Sequence, residues 1–337
     1  MTKILVTGAA GFIGFHMCRY LLEAKHEVFG LDGLTDYYDV ELKKARLAQL
    51  EKYSNFSFDQ SMLGDIESLD RAFDSSRPEV VIHLAAQAGV RHSIAEPRAY
   101  LVSNIIGTFN VMEASKRLNV QHLLMASSSS VYGTSQDTLL SETTPSDTSL
   151  SMYAATKKAN ECMGHSYANI HGLPTTMLRF FTAYGPWGRP DMALFKFTKA
   201  ILADEPITLF NHGKMYRDFT YIDDVVQSIS LLITKPPESK EIVDQVGRVV
   251  PPFRVVNIGN SRRVSLLEFV DALEEKLGKK ADIKYEKIQP GDVEATQADT
   301  TLLKDLTGFT PQTHLRDGIA AFADWYVGYY GAKENIR

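Results

Sequence analysis

The stretch Ile4-Leu5-Val6-Thr7-Gly8-Ala9-Ala10-Gly11-Phe12-Ile13-Gly14 constrains the fold most tightly. A short apolar strand runs into a glycine turn, and the turn opens an amphipathic helix reading from Phe12 to Ala24. Strand, glycine turn and helix in that order are the context in which a dinucleotide pyrophosphate is bound. Gly8 permits the tight turn, Gly11 lets the backbone approach a pyrophosphate, and Gly14 allows close helix–strand packing. Phe12 and Ile13 open the helix, whose N-terminus suits negative charge. The spacing is G-x-x-G-x-x-G, a variant of the commoner G-x-G-x-x-G. The next strand, Glu27 to Leu31, ends at Asp32. A carboxylate there can accept hydrogen bonds from an adenosine ribose and would repel a 2′-phosphate. No Arg follows directly, so NAD is expected rather than NADP.

The rest of the first half continues the pattern. Strands are expected at Ile4–Val6, Val28–Leu31, Phe56–Asp59, Val80–Leu84, His122–Ser127 and Thr175–Phe180, with helices between them. The longest helices read at Pro97–Leu118 and Met152–Ile170. Apolar strands alternating with helices imply a Rossmann-type, doubly wound parallel sheet of the α/β class, covered on both faces. Ligands then sit beyond the carboxyl ends of the strands. Polar clusters follow those ends: Asp32, Gly64-Asp65-Ile66, Ala85-Ala86, Ser127–Ser130 and Phe181-Thr182. Beyond residue 181 the pattern is irregular. Tyr184-Gly185-Pro186-Trp187-Gly188-Arg189-Pro190 is a turn-rich loop, Pro236–Pro252 an exposed excursion, and helices are expected at Ser265–Leu277 and Asp317–Tyr330. The expected division is an NAD-binding domain (1–181 plus roughly 217–260) and a smaller C-terminal α/β substrate-binding domain (roughly 182–216 plus 261–337).

Composition narrows the function. The chain has 337 residues, 44% of them hydrophobic and 23% charged, as in a globular protein with a sizeable core. A net charge of −5 argues against nucleic acid or a membrane surface as a partner. Cys18 and Cys162 fall on helix patterns, are expected in the core, and offer neither a disulfide framework nor metal-ligand spacing. His16, His165 and His171 lack ligand companions, so no catalytic metal is expected, and His83 continues a buried strand. Met1-Thr2-Lys3 leads straight into the first strand, so a reducing cytoplasm is the expected compartment.

Chemistry enters with Tyr153-Ala-Ala-Thr-Lys157, downstream of the serine run Ser127 to Ser130. A Tyr and a Lys four apart share one face of a helix. A nearby ammonium favours a phenolate, and a serine hydroxyl can complete a proton relay to a substrate alcohol.

These features together resemble the extended short-chain dehydrogenase/reductase family, and within it the nucleotide-sugar epimerases. The resemblance spans nearly the whole chain. It rests on the glycine spacing, on His83-Leu84-Ala85-Ala86, on Ser-Ser-Ser-Val131-Tyr132-Gly133, and on Tyr153 with Lys157. Arg217-Asp218-Phe219-Thr220-Tyr221-Ile222-Asp223-Asp224 and Pro290-Gly291-Asp292 follow in the family's order. Arg179-Phe180-Phe181-Thr182, Tyr184 to Ala193, and Asp36-Tyr37-Tyr38-Asp39 are most similar to the UDP-glucuronate 4-epimerase subgroup.

The resemblance implies roles. Tyr153 is the acid/base, Lys157 lowers its pKa and holds the nicotinamide ribose, and Ser128 relays the proton. Ser128 is chosen by counting back from Val131, with Ser127 and Ser129 flanking it. Asp65 and Ile66 contact adenine, and Leu84, Ala85, Ala86 and Asn104 complete the cofactor set. Ser129, Thr182 and Arg189 face the sugar and are candidates to hold its carboxylate. Arg217 is assigned to the diphosphate or else to a surface ion pair. Asp292 is assigned to the uridine ribose or else to a plain turn. Arg91 faces either the sugar or solvent, and Lys196 reads as a surface lysine with phosphate as the alternative. Family members form dimers, with which the two long helices are compatible.

The implied reaction is interconversion of UDP-glucuronate and UDP-galacturonate, through oxidation at C4, rotation of the 4-keto sugar and return of hydride to the opposite face. Related dehydratases place Asp-Glu before the Val-Tyr-Gly segment and related decarboxylases place Glu there, where this chain has Ser129-Ser130. Galactose-type epimerases carry Asn at the position of Thr182. The alternatives are a UDP-glucose/galactose-type 4-epimerase, a UDP-glucuronate decarboxylase, and a non-catalytic NAD-binding regulator.

Overall fold

The computed structural model describes residues 1–135, 137, 139–240, 249–289 and 291–334. Residues 241–248 of the expected excursion, and Pro290 of the Pro-Gly-Asp motif, lie outside the described residues. Twelve strands occur among the described residues: β1 (Lys3–Thr7), β2 (Glu27–Leu31), β3 (Phe56–Asp59), β4 (Val80–His83), β5 (His122–Ser128), β6 (Thr175–Phe180), β7 (Thr182–Tyr184), β8 (Ile207–Leu209), β9 (Tyr216–Tyr221), β10 (Phe253–Ile258), β11 (Arg263–Ser265) and β12 (Ile283–Tyr285).

Seven strands form a parallel central sheet in the order β10-β6-β5-β4-β1-β2-β3. Side chains alternate between its faces, as the two-residue strand period requires. Ile4 and Val6 of β1, Val80 and Ile82 of β4, and Val256 and Ile258 of β10 enter one core with the helices Phe12–Glu23 and Ile222–Ile233. Leu5, Val81, Leu123 and Met125 enter the other, against the helices Ile66–Ser76 and Gly107–Arg117. Each such fully buried side chain is worth about 1.5–3 kcal/mol relative to exposure. From β1 the chain adds β2 and β3 on one side and β4, β5 and β6 on the other, so the order of strand addition reverses between β1 and β4 and a ligand crevice opens beyond their carboxyl ends.

The six strands expected from the sequence are present to within a residue or so at each end. The seventh, β10, was not foreseen. Two prolines precede it, and its pairing with β6 joins residues far apart in the chain. The expected continuous helix at 97–118 is interrupted, because Leu101–Ile106 is wound as a π-helix between Pro97–Tyr100 and Gly107–Arg117. Cys18 is buried as expected, but Cys162 lies exposed on an outer helix face.

Beyond β6, two small sheets (β11-β9-β7 and β12-β8) and the helices Ala193–Leu202, Leu266–Leu277 and Leu315–Glu334 enclose a separate core centred on Phe195, Phe219, Phe269 and Phe322. Ser265 caps its helix by accepting from the Glu268 N–H at 3.0 Å. Trp187 and Tyr221 pack against both this core and the first one, so they stand at the joint between the two parts.

Candidate active site

A cavity of about 1390 Å³ lies between the carboxyl ends of the sheet and the C-terminal layer. Gly8, Gly11, Phe12, Ile13, Gly14 and Asp32 form part of its wall. The glycines are there because backbone crosses backbone. Gly8 has φ +75, and a methyl on it would lie 2.8 Å from Ala85 N. A methyl on Gly14 would lie 1.9 Å from the Gly8 carbonyl oxygen. The close approach expected of Gly14 is therefore to the turn itself. No side chain caps the following helix and no acidic residue occupies its first turn, so its N–H groups remain available to an anion. Asp32 is buried, and its carboxylate accepts from Ala10 N at 3.1 Å and Leu34 N at 2.8 Å. A bare glycine turn at a helix start, with an oriented carboxylate on the next strand, fits a dinucleotide.

Leu84, Ala85 and Ala86 line the cavity after β4. Asn104 does not line it. It is fully buried behind that wall, accepts from Gln87 N at 2.8 Å and donates to Thr156 Oγ1 at 3.0 Å. Asp65 and Ile66 are exposed and also stand outside the lining, next to Met62, Leu63 and Gly64, which belong to it. The Asp65 carboxylate caps the helix Ile66–Ser76, accepting from Ser68 N at 3.2 Å.

Tyr153 and Lys157 sit on the first turns of the helix Met152–His171, which Ser151 caps through Ala154 N at 3.1 Å. Both line the cavity. Burial raises the Tyr153 pKa, while a hydrogen bond with Ser128 and the charge of Arg189 pull it back down. The Lys157 ammonium donates to the Ala126 carbonyl at 2.8 Å, and burial brings its own pKa down to about 8.

The serine run is now resolved in space. Ser127 is buried and donates to Glu161 at 2.6 Å, and Glu161 makes a bidentate pair with Arg179 at 2.8 Å on each arm. Ser128, which accepts from Ser130 N at 3.2 Å, is the serine brought to Tyr153. Ser129 and Thr182 line the same cavity. His83 is structural, bonded to Thr7 at 2.7 Å and Thr108 at 3.0 Å, with burial lowering its pKa to about 3.

On the far wall, Arg91 pairs with Asp292 at 3.0 Å and lies 4.4 Å from the Phe210 ring centre. Arg217 lines the cavity beside them, and burial lowers its pKa. Lys196 also lines it, with its side chain exposed as a surface lysine's is. This end therefore presents three cations and one carboxylate. Arg189 pairs with Asp191, which also accepts from the Tyr37 hydroxyl at 3.1 Å.

Sequence reasoning missed Tyr37, Asp191 and Arg46. The Arg46 guanidinium is fully buried and donates to Ala10 O at 2.9 Å and Trp187 O at 2.6 Å, tying the glycine turn to the 185–190 loop. Residues 141 apart meet there, and no local pattern announces it. Among the described residues no group of three His, Cys, Asp or Glu could hold a metal ion.

Comparison with known proteins places this geometry. The chain is 51% identical to the protein CapI of Staphylococcus aureus over 97% of this chain and 99% of the relative. It is 47% identical to a probable UDP-glucuronate 4-epimerase of Rhizobium meliloti over 97% and 98%. The crystal structure of the UDP-glucuronic acid 4-epimerase of Bacillus cereus, in complex with UDP-glucuronic acid and NAD, superposes with a TM-score of 0.88 at 34% identity, covering 97% of this chain and all (100%) of that one. The pattern of the NAD dependent epimerase/dehydratase family matches residues 4–259, and the chain belongs to that family.

Proposed function

We propose that this enzyme interconverts UDP-glucuronate and UDP-galacturonate. The observation that carries the reading is one cavity holding a dinucleotide turn, a Tyr–Lys–Ser group and a cationic far wall. Its breadth suits a dinucleotide and a sugar nucleotide together. Bound NAD supplies reversible hydride transfer at C4 of the sugar. The backbone N–H groups at Phe12 to Gly14 hold the pyrophosphate, and Asp32 holds the adenosine ribose. Tyr153 takes the proton of the C4 hydroxyl and gives it back, with Ser128 passing it between them. Lys157 orients the nicotinamide ribose. Arg217, Arg91 and Lys196 hold the diphosphate end while the sugar turns over, and Asp292 meets the uridine ribose.

A 4-keto sugar bearing a C5 carboxylate is a β-keto acid and loses CO₂ easily. Ser129, Thr182 and Arg189 hold the carboxylate against that loss. No carboxylate side chain from the serine run is available to assist elimination, which disfavours the dehydratase and decarboxylase alternatives. A proton relay has no use in a pure NAD sensor, which disfavours the regulator.

The division into an NAD-binding part and a C-terminal sugar-binding part follows the separate cores. Leu101, Ile106 and Phe109 are 44%, 48% and 43% exposed on the Pro97–Arg117 segment, which supports a homodimer through that face. The free cysteines suit a reducing cytoplasm. No described helix is long and apolar enough to cross a membrane.

The test is incubation of purified protein with UDP-glucuronate, followed by separation of the sugar nucleotides. UDP-galacturonate without CO₂ is expected. Release of CO₂ with a UDP-pentose would replace the reading with the decarboxylase.

A further inference from the structure

Tyr37, Asp191 and Arg189 form a chain of which the reaction above uses only Arg189. Arg189 Nε donates to Asp191 Oδ1 at 3.0 Å and Nη2 donates to Oδ2 at 2.5 Å. The Tyr37 hydroxyl, 154 residues away in sequence, donates to the same Oδ2. Tyr37 is itself confined: its ring lies 4.7 Å from that of His92, and its hydroxyl would be 2.5 Å from a methyl on Gly89. All three residues of the chain line the cavity that contains Tyr153.

The bidentate pair occupies the side edge of the guanidinium. A planar guanidinium has a second, end-on edge formed by Nη1 and Nη2, which can take another carboxylate. A short Asp two residues along, held by Tyr37 from the other part of the molecule, fixes the plane in which that edge points. We propose that Asp191, held by Tyr37, is a positioning residue that orients Arg189 so that its end-on edge meets the carboxylate of the substrate sugar. This rests on the reading that the substrate is a hexuronate. Asp191 thereby determines preference for acidic over neutral sugars without touching either.

A second consequence concerns charge. Arg189 faces Asp191, Tyr37, Tyr38, Lys43, Tyr100 and Tyr153. Tyr153 in turn faces Ser128, Arg189 and Tyr100, with Lys157 one turn along its helix. Asp191 is the carboxylate in that set, so removing its charge leaves Arg189 to favour the Tyr153 phenolate more strongly.

Binding is measured calorimetrically with the NAD-loaded Tyr153→Phe protein, which blocks turnover. Asp191→Asn is expected to raise the Kd for UDP-glucuronate by roughly tenfold while leaving that for UDP-glucose within about twofold. Tyr37→Phe should act in the same direction and less. With Tyr153 intact, the acid limb of the kcat/KM profile should move to lower pH in Asp191→Asn and to higher pH in Arg189→Gln. A merely structural role cannot move the two limbs in opposite directions. Thermal unfolding confirms that each variant is folded, and a misfolded Asp191→Asn is replaced by Asp191→Ser in the same comparison. Equal weakening of both nucleotides, no weakening, or limbs moving together would overturn the proposal. If the unsubstituted NAD-loaded protein itself shows no preference for UDP-glucuronate, the hexuronate reading fails, and this inference with it. A preference that survives loss of Asp191 sinks only the inference.

Discussion

Replacing Gly14 by Ala tests the cofactor turn at its tightest point. The added methyl would meet the Gly8 carbonyl oxygen at 1.9 Å, its carbon at 2.7 Å and Ala9 Cα at 3.1 Å. All three are backbone atoms, so no flexible side chain can swing away. An ordinary carbon–oxygen contact is about 3.3 Å, so the Gly8 carbonyl must retreat by more than about 1 Å. That carbonyl accepts from Gly11 N at 2.8 Å, and its retreat breaks the bond that closes the turn. Overpacking of this kind costs about 1–3 kcal/mol and the lost hydrogen bond about 1 more, which gives about 3 kcal/mol in all. For a chain of this length that lowers Tm by roughly 4 °C. The distortion falls on the N–H groups assigned to the pyrophosphate, so purified Gly14→Ala protein should also carry far less NAD, read by absorbance after denaturation. Gly328→Ala is the control: a methyl there meets nothing within 4 Å, and the gain in helix propensity should stabilise by about 0.5–1 kcal/mol. Wild-type Tm and wild-type NAD content in Gly14→Ala would mean that the turn tolerates a side chain at this position.

Four further outcomes are expected. Tyr153→Phe should lower kcat by roughly 10²–10⁴-fold without changing Tm by more than a degree or two, measured by product formation and calorimetry. Ser128→Ala should move the acid limb of the pH–rate profile upward, because the hydroxyl that lowers the Tyr153 pKa is gone, whereas Ser127→Ala should leave that limb in place. Glu161→Gln strands the buried Arg179 guanidinium and should cost about 3–5 kcal/mol in urea unfolding. Lys157 has its pKa depressed from 10.5 to about 8, so between those values the unfolded chain binds the extra proton and stability rises with pH; after cofactor removal that rise, roughly 3 kcal/mol for this group, should be missing in Lys157→Met.

The parts of this molecule that were legible in sequence are those in which local pattern and tertiary structure agree. Most of the six central strands foreseen are apolar runs followed by a polar cluster, and the parallel sheet needs both features. The glycine turn was legible because much of its cause is local: Gly11 and Gly14 meet the Gly8 carbonyl within a few residues, although Gly8 itself is crowded by Ala85 from far along the chain. Tyr153 and Lys157 declared themselves by helical spacing, and resemblance to a known family supplied their roles. What remained hidden was built from long-range encounters. β10 reads as a short run after prolines until β6 is set beside it. Arg46 lies in an ordinary amphipathic helix, and only the folded chain shows its side chain fully buried against Ala10 and Trp187. The Tyr37–Asp191 contact likewise has no signature in either segment. The hydrogen-bond partner of Lys157 was hidden for a related reason. Spacing along a helix says which face a residue occupies, but not that a carbonyl on β5 will take the ammonium's hydrogen bond.

In the proposed reaction one hydrogen leaves C4 and returns to C4 within a single cavity, while Tyr153 handles only the hydroxyl proton. UDP-glucuronate labelled with deuterium at C4 tests this directly. The UDP-galacturonate formed should keep the label at C4 undiminished after many turnovers in ordinary water. Loss of deuterium to solvent would mean that the carbon is inverted by deprotonation, and the assignment of the cavity to hydride transfer would be wrong.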